Sequence, residues 1–307
     1  EGMNDVMEYF KFIKIDPSEV GPEKLPWILN LCGNFEIRKI AINVDTLEQF
    51  FAARDLGFDC FEGFFFTHPN SETAITREET YLRLLKLLAL LLANPELHQL
   101  NDALDENPIV GRHLMKIAQV DARKKRRTIE TVSEAVIISG IKRITRWTQL
   151  LLYADTSSKV ALESSPLLQL VCVRAFFMES AAARLGAGGG LGSTDLAFLT
   201  GGLSLVEVIF HKPPEEVLKS FTLPGVVVDA IALREGVLGK LLGVAEAAER
   251  GDLRKVQSLL VDELAVLTLE DIAIDSLAAI KLFVTQTQGD APKDDDWIEP
   301  EVSTEDV

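Results

Sequence analysis

The hydrophobic period of this chain changes once, near Asn70-Ser71, and no other feature restricts its fold as much. Before the break, short apolar runs alternate with helix-like segments. After it, apolar residues recur at three- and four-residue steps as far as about Gln286. In the first stretch, Phe10-Lys11-Phe12-Ile13-Lys14-Ile15-Asp16 reads as a strand that Pro17 helps to close. Residues 22–33 read as a helix, with Pro22 near its start and Gly33 after its end. A second strand over 38–44, a helix over 46–55 ended by Gly57, and a phenylalanine-rich strand over 60–67 complete a βαβαβ pattern. That alternation predicts a parallel sheet. Three strands leave an open edge, so the segment reads as part of a larger barrel or sheet.

Beyond residue 76, helices are expected over 77–93, 95–105, 108–121, 129–139, 141–154, 165–185, 194–210, 223–234, 237–250 and 268–286. Turn clusters such as Asn94-Pro95 and Lys212-Pro213-Pro214 separate them. The fold class is therefore an α/β fragment followed by an all-α part. The expected boundaries are 1–72, 76–288 and an acidic tail over 289–307. With 307 residues at 47% hydrophobic content, the chain has material for two cores. The tail differs: Asp290 to Val307 holds eight acidic residues and one lysine, too little apolar surface to order itself, and is expected to be disordered.

Charge and residue types narrow the function. A net charge of −16 argues against nucleic acid as a partner, because phosphate binding needs a basic face. Three well-separated cysteines without a CxxC pair fit a reducing cytoplasm and supply no thiol-rich metal site. No basic-then-apolar leader opens the chain, and the longest apolar run, Leu84 to Ala93, contains Lys86 and is too short to cross a membrane. The glycine run from Gly186 to Gly192 lacks the Lys-Ser/Thr of a phosphate loop and follows a helix, so it reads as a plain connection. The basic run Arg123 to Arg127 has no interleaved aromatic residue and reads as a solvated loop. Four scattered histidines form neither an HxxxH nor a His-Asp pattern. What remains is Lys14, Asp16, Asn43, Asp45 and Glu62, placed at or near the carboxyl ends of successive predicted strands, where parallel barrels gather their ligand sites.

At these residues the chain resembles known signalling domains. Residues 8–69 are similar to the last third of an EAL domain, the barrel that hydrolyses cyclic di-GMP. The similarity is carried by Lys14-Ile15-Asp16, by Ala41-Ile42-Asn43-Val44-Asp45-Thr46-Leu47-Glu48-Gln49, and by the segment from Gly57 to Pro69. The helical remainder resembles an HDOD domain, a relative of the metal-dependent HD phosphohydrolases. Its matching pieces include Asn107-Pro108, Ile129 to Gly140, Arg143 to Trp147, Arg174 to Glu179, Phe198 to Gly201, Arg234 to Gly239 and Glu249 to Asp252. The combination resembles EAL–HDOD hybrid proteins, which implies a cytoplasmic bacterial signalling protein linked to cyclic di-GMP networks.

The departures from the family patterns matter as much. Ile42 and Asn43 stand where the EAL pattern has Glu and Gly, Asp45 replaces a second Glu, and Glu62 replaces a Gln. The HD pair falls on Ser204-Leu205, and an earlier histidine position falls near Glu179. Isoleucine, serine and leucine cannot rebuild the oxygen- and imidazole-rich metal sites of the enzymes. The resemblance thus implies a degenerate phosphodiesterase without catalytic residues, metal or cofactor, acting on protein partners through its helical domain. The alternative is a receptor that binds cyclic di-GMP at the strand ends, with residual phosphodiesterase activity the least expected outcome. No membrane partner is expected.

Two local expectations follow from side-chain chemistry. Trp147 should be a buried anchor between helices. Phe198 to Phe210 should form one helix in which the Ser204 hydroxyl bonds the carbonyl four residues earlier, so that Ser204→Ala costs about 1 kcal/mol or less. The tail permits a first test: deleting residues 290–307 should leave the melting temperature within a few degrees. A large drop would show that Trp297 docks onto the folded body.

Overall fold

The first apolar run forms β1, Phe12–Ile15, which pairs in parallel with β2, Arg38–Ala41; β2 in turn pairs with β3, Cys60–Phe61. The register places Ile15 opposite Ala41 and Ala41 opposite Phe61. Each crossover carries a helix, α1 (Leu25–Gly33) and α2 (Leu47–Asp55), as a parallel pairing requires. The start of α2 is set by a reciprocal cap. The Gln49 N–H donates to the Thr46 hydroxyl, and the Gln49 side chain accepts from the Thr46 N–H. Ile15, Leu25, Ala41, Val44, Ala53 and Phe58 close the core between sheet and helices. This computed structural model describes residues 7, 9–21, 23–67, 78–93, 95–107, 111–112, 115, 118–119, 122, 128–129, 131–153, 165–186, 194–219 and 223–288.

The third strand is much shorter than the phenylalanine run predicts. It stops at Phe61, and Phe65–Thr67 turns into a single 3-10 turn. Gly63 permits this: a β-carbon there would lie 2.1 Å from the Val44 carbonyl oxygen, so the backbones touch where a side chain would stand. The Val44 N–H donates to the Glu62 carbonyl at 3.0 Å, and the Phe65 N–H donates to the Val44 carbonyl at 3.1 Å. Phe65 then stacks on Phe50 with ring centroids 4.5 Å apart, reaching the core from a turn and not from a ladder.

The chain divides into two compact units, Glu1–Ala74 and Ile75–Val307. The second is helical throughout its described residues. It comprises α3 (Glu78–Leu92), α4 (Leu97–Asp105), α5 (Val132–Ser139), α6 (Ile141–Leu151), α7 (Pro166–Gly186), α8 (Thr194–Leu203), α9 (Val206–Phe210), α10 (Pro214–Lys219), α11 (Gly225–Ala232), α12 (Gly236–Glu249), α13 (Leu253–Leu259) and α14 (Leu269–Gln288). Two of these, α10 and α13, are too short for the apolar period to reveal. Most of the helix expected over 108–121, the basic run, most of the glycine run and the acidic tail lie outside the described residues.

The core of this unit gathers on α7, which buries Leu168, Val171, Cys172, Ala175, Met178 and Ala181 among others. Helix α7 is long and apolar enough to cross a membrane by length and composition, and 56% of its most apolar window is buried within the protein. It is not an uninterrupted apolar run in the sequence, because Arg174, Glu179 and Arg184 punctuate it. Helix α8 lies so close to α7 that a β-carbon on Gly201 would meet the Ala175 Cα at 2.8 Å. Gly201→Ala should therefore separate the two helices and destabilise the protein by about 1–3 kcal/mol, the usual cost of overpacking a filled core. Denaturant titration checks this; an unchanged midpoint would show that the contact gives way freely.

Candidate functional site

Four of the five strand-end residues come together as two pairs, and the fifth, Asp45, bonds the backbone of the turn after β3. Lys14 Nζ lies 2.5 Å from Glu62 Oε2, with both side chains more than half exposed. Asn43, held at a left-handed φ of 57°, donates its side-chain N–H to Asp16 Oδ2 at 2.7 Å. The other Asp16 oxygen accepts the Ser18 N–H at 2.8 Å and the Ser18 hydroxyl at 2.6 Å. These bonds, Ser18 first and Asn43 next, hold the Asp16 carboxyl below the usual range. Asp45 Oδ1 accepts the Phe64 N–H at 3.0 Å, fixing the turn after β3.

The set therefore holds one ammonium and three carboxylates, and each carboxylate already has a donor from the protein. Ile42, between Ala41 and Asn43, adds no oxygen. Among the described residues no three His, Cys, Asp or Glu side chains are grouped so as to share an ion. The donor set present does not fit a catalytic pair of divalent cations, which need converging free oxygens.

In the helical unit, the helix expected over 198–210 breaks at Ser204-Leu205 into α8 and α9, with Leu205 leaving helical geometry at φ −116°, ψ 25°. Ser204 is buried in this turn. Its hydroxyl donates to the Gly201 carbonyl, three residues back, at 2.7 Å and accepts from Arg174 Nη1 at 2.8 Å. The expectation of a bond four residues back is corrected: the acceptor is three residues back, and a buried cation also leans on this hydroxyl, so removing it is expected to cost more than the sequence alone implies. Arg174 is only 4% exposed and grips Glu249 through two bonds of 2.8 and 2.6 Å. Burial opposes its charge, but the hydrogen bonds and charge of Glu249 outweigh that and raise its pKa. Leu205 is buried and offers no ligand.

Glu179 belongs to a different network. It takes a forked contact from Arg146, which also donates to Asp195 at 2.8 Å and lies over the Phe198 ring at 4.6 Å. Lys142 reaches Asp195 at 2.6 Å. Burial would raise the Asp195 carboxyl, but Lys142 and Arg146 prevail and hold it below its usual range. Ser204, bonded to Arg174, and Glu179, bonded to Arg146, thus belong to separate networks, and the two residues that hold them, Arg174 on α7 and Arg146 on α6, come from different helices. A cavity of about 260 Å³ lies instead beside α6, lined by Lys142, Arg143, Arg146, Trp147, Phe176 and Phe198 among others. Trp147 is buried in its wall, 3% exposed. Lys142 and Arg146 were missed as site residues, although their four-residue spacing puts both on one helix face.

No protein-family model matches the chain, and no solved structure matches it. Among curated proteins, it is 22% identical over 232 residues to the uncharacterized protein YuxH of Bacillus subtilis, covering 75% of this chain and 55% of that protein. It is 24% identical over 266 residues to the cyclic di-GMP phosphodiesterase CdgJ of Vibrio cholerae, covering 82% of this chain and 57% of that protein. The chain spans about half the length of the curated relatives it matches.

The Arg174 network yields a ranking. Ser204→Ala should cost about 1.5–3 kcal/mol, the range for a hydrogen bond to a charged group. Glu249→Ala, which leaves Arg174 buried without its carboxylate, should cost about 3–5 kcal/mol. Chemical denaturation of both variants measures the order; a Ser204→Ala loss within about 0.5 kcal/mol would mean that Arg174 is satisfied without it.

Proposed function

We propose that this chain is a degenerate EAL–HDOD-type signalling protein, linked to cyclic di-GMP and acting on protein partners without hydrolysing the nucleotide. The observation that carries the link is the similarity to the phosphodiesterase CdgJ across 82% of the chain. The non-catalytic part rests on the strand ends. Asp16, Asp45 and Glu62 are all engaged by protein donors, and Ile42 stands where the EAL pattern has a metal-associated Glu. Apolar residues standing in solvent on α14, among them Ile274, Leu277 and Ile280, support action through protein contacts. Free cysteines at 32, 60 and 172 fit the cytoplasmic setting proposed with it.

The receptor alternative at the strand ends is less well supported. Lys14 is already engaged by Glu62, and three carboxylates against one ammonium repel a phosphodiester. The test has two arms. Purified chain incubated with cyclic di-GMP and Mg²⁺ or Mn²⁺ should release no linear product above background, and turnover proportional to protein concentration would overturn the non-catalytic reading. Expression in a bacterium should change a cyclic di-GMP-controlled behaviour, such as motility or biofilm formation, while leaving the nucleotide pool unchanged; an unaltered behaviour would remove the link itself.

A further inference from the structure

The cavity beside α6 has the electrostatic character that the strand ends lack. In a chain of net charge −16, three cations within five residues, Lys142, Arg143 and Arg146, line a single cavity. They occupy the first two turns of α6, the end of a helix where its dipole disfavours positive charge. Helix stability therefore does not account for them. The α6 start also has no side-chain cap, since Gly140 precedes it.

The aromatic lining adds a second feature. Arg146 is clamped by Glu179 and Asp195 and laid over the Phe198 ring, which fixes its guanidinium plane. A fixed guanidinium plane stacks well on a planar ring, and Trp147, Phe176 and Phe198 give the cavity an apolar wall. Asp195, 46% exposed, holds Lys142, itself 61% exposed. Exposed pairs of this kind contribute little, so an incoming phosphate can take Lys142 from Asp195 at small cost.

We propose that this cavity binds a phosphate ester of mononucleotide size, with its phosphate on Lys142 and Arg143 and its planar ring against Arg146. At about 260 Å³ the cavity has room for one ring and one phosphate. The site is independent of the cyclic di-GMP reading and needs nothing from the strand ends.

Calorimetry on the full chain with GMP, AMP, inorganic phosphate and cyclic di-GMP tests it. A mononucleotide should bind saturably, with inorganic phosphate weaker. Lys142→Glu, at an exposed position and verified as folded by its melting curve, should weaken mononucleotide binding at least about tenfold, the loss of one charge-assisted bond. Arg146→Lys, which keeps the charge but not the plane, should bring mononucleotide affinity down to that of phosphate. No saturable mononucleotide binding at millimolar concentration overturns the proposal, as does binding that both variants retain in full. Phosphate binding as tightly as the mononucleotide overturns the ring contact. Cyclic di-GMP binding that survives Lys142→Glu, with no mononucleotide binding, overturns this site and leaves the signalling reading standing.

Discussion

A guanidinium taken out of water must find its hydrogen bonds inside the protein, and Arg174 imposes that demand at the centre of the helical unit. Two of its bonds go to Glu249 at the end of α12 and one to Ser204 between α8 and α9. Three elements are thereby fixed to one point on α7. A buried pair of this sort is weak evidence for net stability, because desolvation offsets much of the attraction. Its role is geometric: it holds Ser204 at the point where the chain leaves the helix, although the apolar stripe runs on to Phe210.

The same helix repeats the arrangement twice more. Glu179 is clasped by Arg146 of α6, and Arg184 bonds Asp271 and Asp275 of α14, the latter also accepting from Ser180. Asp275 is 1% exposed, so this too is a buried charge with its partners supplied. Charges at 174, 179 and 184 thus tie one apolar helix to three neighbours, α12, α6 and α14. That explains how a segment of membrane-spanning length and hydropathy serves as a core helix, its charges each met by an opposite charge on another element.

The two units also differ in the ions they favour. At the strand ends, Lys14 pairs with Glu62, and Asp16 and Asp45 take their donors from Asn43, Ser18 and the Phe64 backbone. Beside α6, cations and aromatic rings surround open space, partly balanced by Glu179 and Asp195. The strand-end residues drew attention because parallel strands carry their carboxyl ends to one side of a sheet. The α6 cations carried no such signal. Within Arg143-Ile144-Thr145-Arg146-Trp147 they look like an ordinary amphipathic helix until α7 and α8 close around them.

Period and local chemistry in the sequence were enough to determine the two-part organisation, the parallel βαβαβ order, most of the long helices and the burial of Trp147. Each of these depends on residues within a few turns of one another. The length of β3, the break at Ser204 and the cavity beside α6 were decided only by the tertiary structure. The Phe64-Phe65-Phe66 run has the composition of a strand, and it turns where Gly63 meets the Val44 backbone nineteen residues away. Ser204 looked self-sufficient until Arg174, thirty residues earlier, was brought against it, with Glu249 another seventy-five residues beyond Arg174. Helical and strand periods are properties of neighbouring residues, whereas the partner of a buried charge is chosen by whichever distant side chain the packed fold carries to it.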